Sequence, residues 1–158
     1  SGELSLKVSV IAADELLRLV GGGHRLLQLR LRWNDYHRVH SPVDGRITSI
    51  DVLAKDGLFP GSEAMTIFAF DTAFGHVRLL CIGEWSVQSF VLDVEVNQRV
   101  ARMDHLGYFE LGSQVILVLP EGLDILVQGG GKVFPGDPLG VCGTAERSAP
   151  RGLDRSGE

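Results

Sequence analysis

Two stretches of this chain share one spacing, thirty-three residues apart: Val94-x5-Val100-x3-Asp104-x-Leu106-Gly107 and Val127-x5-Val133-x3-Asp137-x-Leu139-Gly140. A unit this short cannot bury a core alone, so it must pack against its own copy or against other elements. Turn residues punctuate the apolar positions of both copies, which is the pattern of strand–turn–strand units. Elsewhere, Leu27, Leu29, Leu31 and Trp33 alternate with Gln28, Arg30 and Arg32, predicting a strand with one buried face. Further strands are predicted at Gly45–Val52, Met65–Phe70, His76–Gly83, Ser86–Val94, Val115–Leu119 and Ile125–Gln128. One short helix is predicted over Asp14–Val20, with Asp14 as N-cap and Gly21-Gly22-Gly23 as its stop.

Length and composition narrow the class. With 158 residues, 44% apolar and 22% charged, the chain reads as one soluble globular domain over residues 3–143 and a loose polar tail over residues 144–158. A net charge of −5 with no block of Lys or Arg argues against nucleic acid as a partner. Cys81 and Cys142 have no metal-site or disulfide spacing, which predicts two reduced, largely buried thiols. No apolar run reaches the ~20 residues of a bilayer span, so any contact with lipid is expected to be peripheral. Arg25, Arg30 and Arg32 are the candidates for a small basic face toward anionic headgroups.

Chemistry concentrates in two segments. Gly107-Tyr108-Phe109-Glu110-Leu111-Gly112-Ser113-Gln114-Val115 sets a hydroxyl directly after a glycine at the mouth of an apolar strand. Asp35-Tyr36-His37-Arg38-Val39-His40-Ser41-Pro42 supplies two histidines that can act as base and acid at neutral pH. Glycine before serine leaves the carbonyl open to the hydroxyl, because it has no Cβ. Read alone, Gly112-Ser113 is also an ordinary turn opening a strand. The histidines alone are also a polar pair, or two metal ligands lacking a third of convincing spacing.

Together the segments resemble phosphatidylserine decarboxylase and its relatives, whose D-Y-H-R-x-H-x-P and G-x-F-x-x-G-S-T motifs occur in this order and at this separation. The resemblance runs from about Leu6 to about Val118. It implies a pyruvoyl cofactor made from the chain itself: Ser113 attacks the Gly112 carbonyl to give an ester, β-elimination splits the chain, and the new end hydrolyses to pyruvoyl. It further implies that His40 activates Ser113 and that His37 serves decarboxylation, with no metal. The implied substrate is phosphatidylserine or a related amino acid, the implied location cytoplasmic or peripheral to a membrane, and a homodimer is among the expected assemblies. The repeats look like the hammerhead units of barrel-sandwich hybrids, including lipoyl and biotinyl carriers. Lys132 follows Gly129-Gly130-Gly131 without the methionine flanks of a biotinyl site, so a carrier role is not expected. The expected fold is mainly β (α+β), with two packed antiparallel sheets, such repeats and one short N-terminal helix.

There are departures from the family pattern. Gln114 replaces Thr; Glu84, Trp85 and Gln88 replace smaller or less polar residues. The family aspartate that orients the activating histidine belongs to a segment ahead of Leu6-Lys7-Val8, and Pro42-Val43-Asp44-Gly45 matches a different turn. Slow or absent self-cleavage is the resulting expectation for these 158 residues. The alternative reading is a catalytically silent relative acting as a binding or structural module.

Overall fold

A computed structural model describes residues 4–7, 24–32, 35–54, 62–84, 90–110 and 113–142. The expected helix Asp14–Val20, the segment Trp85–Ser89 and the tail at 144–158 lie outside these residues. The described residues form strands β1 (Leu4–Lys7), β2 (His24–Leu31), β3 (Arg38–His40), β4 (Gly45–Ala54), β5 (Ser62–Thr72), β6 (Gly75–Glu84) and β7 (Phe90–Leu92). There follow β8 (Arg99–Val100), β9 (His105–Phe109), β10 (Ser113–Pro120), β11 (Leu123–Ile125), β12 (Lys132–Val133) and β13 (Gly140–Cys142). They make an eight-stranded sheet of order β12-β1-β2-β10-β6-β5-β4-β8, a three-stranded sheet β3-β9-β7 and a two-stranded sheet β11-β13. The mainly β, antiparallel expectation holds, with strands spread over three sheets where two were expected.

Side-chain pattern explains the layering. In β2, Leu27 and Leu31 are buried while Arg30, like Arg32 just past the strand, is exposed, as alternation requires. Arg25, however, pairs with Leu119 one step along from Leu27 with Leu117, on the leucine side of the pleat. The expected single basic face is therefore divided. Strand β10 lies between β2 and β6 and is buried from Ser113 to Leu119, which accounts for its unbroken apolar run.

One side of the large sheet contributes Leu27, Leu31, Leu79, Cys81, Val115 and Leu117 to the main core, where Val39, Leu106 and Phe109 of the three-stranded sheet meet them. The other side carries a second cluster of Met65, Leu80, Ile82, Ile116 and Val118. Phe90 bridges the sheets, standing edge-on to Phe68 at 5.8 Å and to Phe109 at 5.0 Å between centroids. Such pairs add about 0.5–1.5 kcal/mol beyond the area they bury.

The thirty-three-residue repeat is structural. Ala101 N donates to Asp104 Oδ2 and Phe134 N to Asp137 Oδ2, both at 2.8 Å. Asp104 N donates to Ala101 O and Asp137 N to Phe134 O, both at 3.0 Å; Asp93 N to Leu106 O and Leu126 N to Leu139 O follow the same offset. The closing glycine of each copy lies against the neighbouring strand. A Cβ on Gly107 would sit 2.2 Å from Val91 O, and one on Gly140 2.9 Å from Asp124 O. Both copies also use two left-handed residues, Asn97 and Met103 in the first, Gly130 and Gly136 in the second.

Other expectations need correction. The strand expected at Ile125–Gln128 is β11, Leu123–Ile125, two residues earlier, paired with β13. The short strands β1, β3, β8, β9, β12 and β13 carry too few residues to show a period. Cys81 is buried and free as expected, whereas Cys142 is exposed on β13.

Candidate functional site

Ser113 opens β10 with Leu31 of β2 on one side and Gly83 of β6 on the other. It shares the pleat side of Val115 and Leu117, so its hydroxyl belongs to the main-core face of the large sheet. The residue is 1% exposed, and its Oγ has no hydrogen-bond partner among the described residues. Gly112, the other half of the expected processing bond, lies outside the described residues.

The chain delivers the histidine segment to this end of the sheet by two routes. Immediately after Leu31, Arg32 N donates to Asp35 Oδ2 at 2.6 Å and Asp35 N donates to Arg32 O at 2.9 Å, closing a tight turn. From the other side, Phe109 N donates to His37 O at 2.9 Å and β3 pairs with β9. Ser113 follows Phe109 by four residues, a reach of at most about 14 Å. His37 and Ser113 therefore lie at one end of the sheet, each tethered to the other through β2 and through β9.

The two histidines are held differently. His37 Nδ1 is 2.6 Å from Asp35 O, and since a carbonyl only accepts, Nδ1 carries the proton. His37 Nε2 is then a bare acceptor, buried and without a partner. Among the described residues, it and Ser113 Oγ are the buried side-chain nitrogens and oxygens left unsatisfied. His40 is fully engaged: Nδ1 donates to Met103 O at 2.9 Å, and Nε2 accepts from the Tyr36 hydroxyl at 2.5 Å. Tyr36 also stacks on the His40 ring at 5.6 Å and 11°.

Further polar residues lie around His40. His105 stands edge-on to it at 5.7 Å, donates from Nδ1 to Asp93 Oδ2 at 3.0 Å and lies 3.4 Å from Arg38 through Nε2. Asp44, of the Pro-Val-Asp-Gly segment, does not reach His40. Its Oδ1 accepts from Arg102 N at 2.8 Å, and its carboxylate faces the Arg102 guanidinium at 3.4 Å.

One departure, Gln114, sits directly beside the serine, while Trp85 and Gln88 lie outside the described residues. Gln114 is buried on the opposite pleat side and its Oε1 accepts from Gln28 Nε2. Cys81 pairs with Val115, two residues beyond the serine, and burial pushes its thiol far above the ordinary range. Of the site, sequence reasoning missed Met103. The repeat held the signal, because Met103 falls where the second copy places Gly136.

A family model described as phosphatidylserine decarboxylase matches residues 7–141. The chain is 33% identical over 124 residues to phosphatidylserine decarboxylase proenzyme 3 of Schizosaccharomyces pombe, covering 69% of this chain and 12% of that protein. It is 28% identical over 149 residues to the phosphatidylserine decarboxylase proenzyme of Saccharophagus degradans, covering 75% and 51%. With the enzyme of the same name from Chlorobaculum tepidum it shares 28% over 130 residues, covering 77% and 59%. In each case it spans less than two thirds of the relative's length. No solved structure matches it.

Proposed function

Because this chain belongs to the phosphatidylserine decarboxylase family, we propose that it is the self-processing, decarboxylating unit of a pyruvoyl-dependent carboxy-lyase in its proenzyme form. The unit extends over residues 3–143, and its repeats are read as hammerhead-like halves. Ser113 is the pyruvoyl precursor, and the substrate is phosphatidylserine or a related amino acid.

One observation carries the reading. A buried hydroxyl without a partner costs about 1–3 kcal/mol, and Ser113 Oγ is one, at the end of the sheet to which β9 also tethers His37. Orphans of this kind are rare in folded proteins and concentrate where chemistry needs them. The site fits a pyruvoyl group because the atom that must react is already desolvated and tied to no other group.

In the processing step Ser113 Oγ loses its proton to an imidazole nitrogen and bonds to the Gly112 carbonyl carbon. The Gly112–Ser113 C–N bond breaks as the ester forms. β-Elimination then releases the Gly112 carboxylate, and water replaces nitrogen at the dehydroalanine with loss of ammonia. Once present, the pyruvoyl group supplies an electron sink for the pair left when CO₂ departs. His37 suits the proton transfers of that stage, since its Nε2 lone pair is bare and sheltered from water. The exposed Arg30 and Arg32 support a peripheral approach to anionic lipid from the cytoplasmic side.

Intact mass and N-terminal sequencing test the reading. For a protein that also carries the segment ahead of Leu6-Lys7-Val8, the expected result is a cut before Ser113, a blocked terminus on the smaller fragment, and CO₂ release from phosphatidylserine vesicles or free amino acids, whereas the 158 residues alone are expected to cut slowly or not at all. Ser113→Ala abolishes all three. Cleavage that persists in Ser113→Ala, or a free N-terminal serine on the wild-type fragment, refutes the pyruvoyl mechanism.

A further inference from the structure

The two repeats agree strand by strand and then part at one edge. β7, β8 and β9 of the first correspond to β11, β12 and β13 of the second. Their registers are the same: Phe90, Val91 and Leu92 face Phe109, Tyr108 and Gly107, as Leu123, Asp124 and Ile125 face Cys142, Val141 and Gly140. On its other side β9 carries β3, with Arg38 opposite Tyr108 and Val39 opposite Gly107. Among the described residues, β13 has no strand on that side. Leu106, Gly107 and Phe109 of β9 are buried, whereas Gly140, Val141 and Cys142 are all exposed.

The turn ahead of β13 is open in the same way. In the first copy Met103 N donates to Ser41 O at 2.9 Å and Ser41 N donates to Asp104 O at 2.7 Å, which clips the chain leaving β3 to the turn. The counterparts, Gly136 N and Asp137 O, make no backbone hydrogen bond among the described residues. Side chains change with them. Asp93 and His105, an ion pair in the first copy, and Tyr108, under the Arg38 guanidinium at 5.9 Å, become Leu126, Pro138 and Val141. Leu126 is 53% exposed, Phe134 of the turn 49% and Val141 38%. Apolar side chains beside an unpaired strand edge are what an added strand covers, its main chain bonding to the edge and its alternate side chains giving selectivity.

The large sheet indicates the source of that strand. β3 runs into β4, whose first residues Gly45 and Arg46 pair with Val100 and Arg99 of β8. β1 meets β12 in the same register, Leu4 opposite Val133 and Ser5 opposite Lys132. Leu4 therefore stands where Gly45 stands. Since β3 ends five residues before Gly45, its counterpart ends five residues before Leu4, in chain that precedes Ser1. We propose that β13 receives a third strand from the segment preceding β1, and that this strand is apolar where β3 carries Arg38 and His40. The counterpart of Arg38 faces Val141 in place of a tyrosine ring, and that of His40 faces Pro138 in place of His105. The proposal stands apart from the chemistry assigned to Ser113.

Hydrogen exchange and a peptide test it. In the 158-residue chain, Gly136 N–H should exchange about tenfold or more faster than Met103 N–H, because a bonded amide exchanges only when its contacts open. In a longer protein that includes the preceding segment, the two rates should come together. A synthetic copy of residues 35–45 carrying Arg38→Val and His40→Val should bind the 158-residue chain, shift the amides of Gly136 to Cys142, and bind more tightly than the unaltered copy. Phe109 N donates to His37 O in the first copy, so Cys142→Pro removes the matching edge donor and should abolish peptide binding with little change in the unfolding midpoint. Rates that stay apart in the longer protein, or peptide shifts away from β13, overturn the proposal. Tighter binding of the unaltered copy overturns its apolar part. Protection of Gly136 in the 158-residue chain that grows with protein concentration makes a second copy the occupant, and protection already complete at low concentration means that the edge is covered from within; either result overturns the assignment to the preceding segment.

Discussion

Among the glycines whose surroundings are described, Gly107 leaves the least room for an added Cβ. The new Cβ would lie 2.2 Å from Val91 O and 2.7 Å from the Phe90 ring, and backbone cannot yield as a flexible side chain does. Relief requires β7 to move out by about 1 Å, the gap between this contact and an ordinary one. Overpacking alone costs about 1–3 kcal/mol. Moving β7 also strains its pairing with β9 and the edge contacts of Phe90 with Phe68 and Phe109, at about 0.5–1.5 kcal/mol for each aromatic pair. A total near 3 kcal/mol or more is expected. The second repeat supplies the control, because a Cβ on Gly140 meets Asp124 O at 2.9 Å and clears Ile125 by 3.6 Å. Gly140→Ala should cost only about 1 kcal/mol. Urea unfolding followed by tryptophan fluorescence gives both values from midpoint shifts at constant slope. A Gly107→Ala protein within 0.5 kcal/mol of wild type, or one more stable than Gly140→Ala, would refute the reasoning.

Three further outcomes concern the cysteines and a buried amide pair. Burial raises the Cys81 pKa, so the folded chain holds that proton more tightly than the unfolded one. The linked stability is intact below the free thiol's pKa of about 8.5 and is lost as pH rises above it, by up to about 1.4 kcal/mol per unit. The stability difference between wild type and Cys81→Ala should therefore shrink between pH 8 and pH 10; a constant difference contradicts the assignment. Native alkylation should label Cys142 and spare Cys81. Gln28→Ala removes the donor to the buried Gln114 Oε1 and should cost about 1–3 kcal/mol, whereas the double change Gln28→Leu with Gln114→Leu should be close to neutral. A double variant as unstable as the single would mean that packing, not the unmet acceptor, sets the cost.

The parts of the fold legible in the sequence were those with a long enough period. β2, β4, β5, β6 and β10 have eight or more residues each, and alternation or an unbroken apolar run marks each of them. Strands of two to five residues such as β3, β8 and β9 are fixed by partners far along the chain, and no local pattern encodes a partner. Ser113, His37 and His40 were singled out by the two long motifs that carry the family resemblance, since read alone they are also an ordinary turn and a polar pair. What each nitrogen of His40 touches was not legible, since Met103 contributes a carbonyl that any residue has. Only comparison of the two repeats singles it out, as a methionine bearing a backbone angle that its counterpart leaves to glycine.

Ser113 opens a strand at the middle of the large sheet, and this decides what a broken backbone would do there. Everything from Ser113 onward includes β10, whose ladders run through eight residue pairs with β2 and six with β6, and β12, which pairs with β1. A cut ahead of Ser113 severs none of these bonds. The short piece stays threaded between two strands of the long one, and leaving would require both ladders to unzip together. Once denatured, however, the two pieces must find each other by diffusion, so reassembly becomes dependent on concentration. An intact chain can refold alone after heating, whereas a cut one has lost that way back.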